Sequence, residues 1–151
     1  YMVGSQQERA GMIYRGATLL YASAEATVPK ITVLVRKALA GAWLAMGSYE
    51  MRADIVYAWP IADMTGLSPK SIADVIYRSE MRAAADPEAV RRAKTEYCAK
   101  ELGGIYDAAS WQEVSDIIEP RETRRAIVKA LKLTKNKRQS LPSKKHDTMP
   151  L

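Results

Sequence analysis

Phenylalanine is missing from this sequence, and cysteine and histidine occur once each, as Cys98 and His146. One cysteine cannot close an internal disulfide, and one Cys with one His cannot assemble a Cys/His metal site. The sequence is therefore expected to work in a reducing compartment without zinc or thiol redox chemistry. A Ser-His-Asp or Cys-His mechanism has little support, because the sole histidine lies in the C-terminal tail. Long apolar runs are also lacking. Nothing approaches the roughly 18 to 20 residues that span a bilayer, and no basic-apolar-small leader precedes the first helix, so a soluble protein is expected. There is no G-x-S-x-G elbow, no G-x-G-x-x-G after a strand and no Walker A loop.

What is present suits an ordinary globular domain: 151 residues, 48% of them hydrophobic and 26% charged. The apolar mass is carried by Ala, Ile, Val, Leu, Met and Tyr. The net charge of +6 could suggest nucleic acid. Much of the excess, however, sits between Arg121 and Lys145 in a terminal helix and tail, with no recognition module beside it. No nucleic-acid partner is expected, although single Lys or Arg side chains could meet cofactor phosphates. The sequence begins at Tyr1 and enters a helix cap within four residues, and is expected to be part of a longer chain.

Ser5-Gln6-Gln7-Glu8 has the pattern of a capping box, and an apolar stripe follows at positions 10, 13, 14, 17, 20, 21 and 24, predicting one helix over about 6–27. Pro29 ends it. Residues 30–36 are β-branched and largely apolar, as a strand covered on both faces would be. Residues 54–59 repeat that character up to Pro60, and a short helix is expected to start near Gly41 between the two, which suggests a parallel sheet. Ser68-Pro69 and Asp86-Pro87 each read as an N-cap with Pro in the first turn, opening helices to about Arg82 and to Gly103-Gly104. A strand over 114–118 and a basic amphipathic helix from Pro120 to about Leu133 complete an α/β pattern, with an extended tail over 135–151.

Chemistry has few places to reside. The turn Ala40-Gly41-Ala42 lies between a buried strand and a helix, and the first N–H groups of that helix could hold an anion or a developing oxyanion. The same small residues could equally serve only the packing of a tight turn. Asp54, Asp63 and Asp74 are candidate acids, but each is as readily a solvated or capping carboxylate. Trp43 and Trp59 could stack on a ring or belong to the core.

The runs Tyr1 to Met12, Ala26-Thr27-Val28-Pro29-Lys30-Ile31-Thr32, Gly41-Ala42, Ala45-Met46-Gly47-Ser48, Tyr57-Ala58-Trp59-Pro60 and Asp116 to Arg124 resemble the β subunit of propionyl-CoA carboxylase and its relatives. The resemblance covers nearly the whole sequence. It implies a crotonase-like ββα superhelix, with residues 1–134 forming much of the C-terminal, biotin-side carboxyltransferase domain and 135–151 a basic tail. It implies carboxyl transfer from carboxybiotin to a short-chain acyl-CoA of the propionyl or acetyl type. A biotin-dependent decarboxylase subunit acting on a malonyl-type CoA, or a non-catalytic assembly subunit, are its alternatives. It places the oxyanion hole for biotin's ureido oxygen on the backbone of Gly41 and Ala42, and an acyl-selective side chain at Leu44. Biotin carried by a partner, acyl-CoA as substrate, a homo-oligomer built as a hexameric trimer of dimers, biotin carboxylase and carrier subunits, and a cytoplasmic or mitochondrial-matrix setting follow from the same resemblance. Ala40 stands where the family has a glycine, residues 67–71 stand where it has a Met-Gly-x-x-Gly turn, and Gly104-Ile105-Tyr106 stands in place of Asn-Pro-Tyr.

Overall fold

The computed structural model describes residues 4–101, 104–141 and 143. Its organising element is a parallel ladder that turns a corner. Strand β1 (Ile31–Leu34) is followed after two residues by β2 (Lys37–Leu39) and then helix α3 (Ala40–Gly47). The chain repeats the sequence with β3 (Ile55–Ala58), β4 (Asp63–Thr65) and helix α4 (Pro69–Ile76). β1 pairs with β3 in parallel from Ile31↔Ile55 to Leu34↔Ala58, and β2 with β4 from Lys37↔Asp63 to Leu39↔Thr65. The corner itself is bonded: the Trp59 N–H donates to the Leu34 carbonyl at 2.9 Å and the Asp63 N–H to the Arg36 carbonyl at 2.6 Å. Two ββα turns are thus stacked, as in a superhelix, and β5 (Asp116–Ile117) adds to β3 to complete the three-stranded sheet.

Alternation along the first sheet gives each face its own core. Leu34, Val56 and Ala58 join Ala38, Met64, Ile105, Ala108 and Val114 on one side. On the other, Ile31, Val33, Ile55 and Tyr57 meet Ile118 and Ala130, the last from helix α8 (Thr123–Thr134). This two-sided burial is why residues 31–34 and 55–58 are largely apolar, the Thr32 and Tyr57 hydroxyls among them donating to the Gly47 and Ala126 carbonyls. Trp59 belongs to this second core, its indole N–H donating to Thr123 Oγ1 at 2.9 Å.

The helices depart from expectation where single residues interrupt them. The one helix expected over 6–27 is two, α1 (Ser5–Arg9) and α2 (Met12–Glu25), because Gly11 takes φ 84°, a left-handed geometry that glycine adopts without strain. Ser5 is the first helical residue and not the cap; Gly4 occupies that place with no side-chain bond. Ser68 does cap α4, accepting from the Ser71 N–H at 3.1 Å, but the helix turns at Tyr77 (φ −101°, ψ 19°) into α5 (Arg78–Ala83). Asp86 accepts from the Glu88 and Ala89 N–H groups and opens α6 (Pro87–Glu101). Helix α7 (Ile105–Ser110) and strands β2 and β4 have no counterpart in the sequence reading. His146 and most of the basic tail lie outside the described residues. Among the described residues no helix is long and apolar enough to cross a membrane.

One polar cluster ties the strand starts to the chain beyond α8. Asp54 Oδ2 accepts from the Lys30 N–H at 2.7 Å and from Lys137 Nζ at 2.8 Å, while Lys30 Nζ donates to the Ser23 and Met51 carbonyls. Burial alone would raise the Asp54 carboxyl, but the Lys137 hydrogen bond, the Lys30 N–H and both ammonium charges outweigh it and hold the group below its ordinary value. An acid depressed in the folded state stabilises the fold above its unfolded pKa and loses that contribution as pH falls through the folded one. Lys137→Met is expected to cost about 1.5–3 kcal/mol near neutral pH, the worth of a hydrogen bond to a charged group. The difference from wild type should shrink below about pH 4. Urea melts of both proteins across pH check this.

Ala40 takes φ 49° at the junction of β2 and α3. A side chain in the left-handed region costs roughly 1–2 kcal/mol, which is a physical reason to expect glycine at such a position. Ala40→Gly removes that cost but adds freedom to the unfolded chain, worth about 0.4–1 kcal/mol. A net gain of about 0.5–1 kcal/mol in chemical denaturation is expected from these two terms.

Candidate active site

Helix α3 begins at the carboxyl end of β2, and the carboxyl end of β4 lies beside it because Leu39 and Thr65 are ladder partners. Parallel strands ending together beside a helix start leave a crevice outside their carboxyl ends. Here the crevice is a cavity of about 700 Å³, within the size range of small-molecule sites. Ala40, Gly41, Trp43 and Leu44 line it from α3, and Met64, Thr65 and Gly66 from the end of β4. Ile72 of α4, Asp107, Ala108 and Trp111 of α7 and its C-cap, and Glu50, Glu101 and Glu113 complete the wall.

The start of α3 brings backbone donors to the wall of this cavity. The first four N–H groups of any helix have no partner within it and carry the positive end of the macrodipole. In α3 the N-cap is Leu39, and no side chain caps the terminus. A Cβ on Gly41 would meet nothing within 4 Å, and the same holds for Gly66, so a ligand atom can approach both positions closely. At the other end of α3, Gly47 is held at φ 142° and a Cβ there would fall 2.6 Å from Thr32 Oγ1. That hydroxyl donates to the Gly47 carbonyl at 2.7 Å. The helix is thereby pinned to β1 at its C-terminus.

The rim is acidic. Glu50, Glu101, Asp107 and Glu113 come from four separated stretches of the sequence. Hydrogen bonds from Ser48 and from its own backbone hold the Glu50 carboxyl below its ordinary value, against a smaller opposing effect of burial. Positive backbone dipole at the start of α3 and carboxylates around the cavity favour a ligand that is neutral overall and concentrates negative charge on one oxygen. Thr65 adds a buried hydroxyl with no hydrogen-bond partner among the described residues.

The sequence candidates separate clearly. Gly41 and Leu44 share this cavity, with Leu44 43% exposed in its wall. Ala42 does not line this cavity but a second hollow of about 460 Å³, and its N–H belongs to the first turn of α3. Trp43 touches both hollows and packs on the core. Asp54 and Asp74 are ion-paired, with Lys137 and Arg91, and Asp63 is a ladder residue; none of the three lines the cavity. The rim carboxylates and Thr65 carry no local pattern, and only the fold assembles them.

Comparison with known proteins identifies the family. The family described as carboxyl transferase domain matches residues 1–149. The chain is 46% identical over 150 residues, 99% of its length, to the methylmalonyl-CoA carboxyltransferase 12S subunit of Propionibacterium freudenreichii subsp. shermanii. It is 43% identical over 151 residues to a putative propionyl-CoA carboxylase beta chain of Bacillus subtilis, and 41% identical over 151 residues to the methylmalonyl-CoA decarboxylase subunit alpha of Propionigenium modestum, each match covering the whole chain. It covers 29%, 30% and 29% of these relatives, so it spans under a third of their length. A crystal structure of transcarboxylase 12S, described as a hexamer assembly with methylmalonyl-coenzyme A and methylmalonic acid bound, superposes with a TM-score of 0.86 at 46% identity. That match covers 100% of this chain and 29% of the other. The family match over residues 1–149, the identity along the whole length and the superposition of the stacked ββα turns together show that this chain belongs to the carboxyl transferase domain family.

Proposed function

We propose that this chain forms the biotin-side part of a carboxyltransferase site, in which a carboxyl group passes between carboxybiotin and a short-chain acyl-CoA. The observation that carries the reading is the uncapped start of α3 opening, without a Cβ at Gly41, into a cavity of about 700 Å³. A ureido oxygen that gains negative charge as the carboxyl group leaves needs fixed hydrogen-bond donors rather than an acid, a base or a nucleophile. Helix N–H groups supply this without reorganisation. The Gly41 and Ala42 N–H groups hold that oxygen, and the cavity is large enough for a bicyclic ring. Biotin, carried by a partner protein, supplies the carboxyl group on a ring nitrogen.

Leu44 stands in the cavity wall and gives it an apolar surface suited to an acyl chain. One such contact is worth about 1–3 kcal/mol of selectivity. The acidic rim is poorly suited to the phosphates of coenzyme A, so the nucleotide end is expected to lie on surface contributed from outside this segment. That requirement fits assembly with a further domain, a second copy of the subunit, and biotin carboxylase and carrier subunits.

Ala42 is the third residue of α3, where the N–H has no partner within the helix, so a proline there removes a donor without breaking a helix hydrogen bond. Ala42→Pro is expected to lower carboxyl transfer from carboxybiotin to propionyl-CoA about 10²- to 10³-fold in the full protein, while Ala42→Ser leaves it nearly unchanged. Radiolabelled carboxyl transfer measures both. Equal rates in the two variants would contradict the assignment.

A further inference from the structure

Thr65 is the last residue of β4 and the ladder partner of Leu39, which places it beside the chain that enters α3 at Ala40-Gly41. It lines the same cavity as Gly41 and is the one hydroxyl among the described residues that do so. Its Oγ1 is buried and has no hydrogen-bond partner among them. Folded proteins leave few buried polar groups unpaired, because each keeps its desolvation cost without the compensating bond. Valine has nearly the same shape and would avoid that cost. In the observed rotamer the hydroxyl is both unpaired and shielded from the ligand-sized cavity that Thr65 lines, so a partner that arrives with a ligand is reached once the side chain turns.

The Thr65 side chain can move its hydroxyl by rotation about one bond. Its χ1 has three staggered wells, and a 120° step carries the hydroxyl to the place left by the methyl or by the hydrogen without moving the backbone. A rotation that turns Oγ1 toward the cavity aims it at the volume that the first turn of α3 also faces.

We propose that the Thr65 hydroxyl donates a third hydrogen bond to the biotin ureido oxygen held by the Gly41 and Ala42 N–H groups. This rests on the reading of the cavity as the biotin site. A urea-type oxygen that gains negative charge can accept three donors, and a hydroxyl is shorter and more adjustable than a backbone amide. The unpaired state of Thr65 in the free protein is then a small loss of stability that ligand binding restores.

The test compares Thr65→Val and Thr65→Ser with wild type in the full protein, using free d-biotin as probe in isothermal titration calorimetry and following thermal unfolding separately. Valine should leave the melting temperature unchanged or raised and weaken biotin binding about three- to tenfold, the worth of one net hydrogen bond. Serine should restore binding to within about twofold of wild type, and propionyl-CoA affinity should not change in either variant. Valine binding biotin as tightly as wild type, or serine losing as much as valine, would overturn the role of the hydroxyl. Ala42→Pro, titrated alongside, separates the two levels. If it weakens biotin binding and Thr65→Val does not, only the Thr65 inference fails. If wild type binds no biotin, or neither variant changes its affinity, the cavity assignment fails with it.

Discussion

The site depends on the ladder being carried around a corner. Bonds from the Trp59 and Asp63 N–H groups to the Leu34 and Arg36 carbonyls keep the second ββα turn in register with the first. That register makes Leu39 and Thr65 neighbours, so α3 starts beside the end of β4 and the two chain ends enclose a cavity between them. A register slip of one residue in β2 and β4 would exchange the faces of Ala38 and Met64, both buried in the core. Burial of small side chains therefore protects the geometry of a distant backbone N–H.

The proposed chemistry, based on backbone, would explain the sparse side-chain inventory. Catalytic sites of the acid–base kind need perturbed titratable groups, yet the charged residues with altered titration here mostly belong to structural pairs: Asp54 with Lys137, Arg91 with Asp74, Lys94 with Glu80, and Lys100 with Glu96. Donors aimed by a helix keep their charge distribution at every pH. The acidic residues of the cavity have a different consequence under that proposal, since they would repel phosphates and leave the nucleotide end of a coenzyme to other surfaces. Ala40 at φ 49° adds strain at the point where the donors begin.

Much of the fold was legible where composition matched a single structural demand. Residues 31–34 and 55–58 are largely apolar on both faces because both faces are covered, and Ser68-Pro69 and Asp86-Pro87 start helices through local bonds that need no tertiary contact. Legibility failed where one residue or a very short segment decided the outcome. Gly11 and Tyr77 divide helices whose apolar periodicity runs through them, and β2 and β4 are three residues each, too short to show alternation. At the site, the small residues 40–42 were visible but compatible with mere packing, and the resemblance to a known family was needed to give them chemistry. The rim carboxylates and Thr65 are spread from residue 50 to residue 113, joined only by the stacking of turns.

The central claim is that the start of α3 holds the ureido oxygen of biotin. A crystal structure of the full protein with biotin bound tests it most directly. The ureido oxygen is expected in the cavity beside Gly41, about 2.7–3.1 Å from the Gly41 and Ala42 nitrogens. Biotin bound elsewhere, or bound in this cavity with its ureido oxygen turned away from α3, would contradict it.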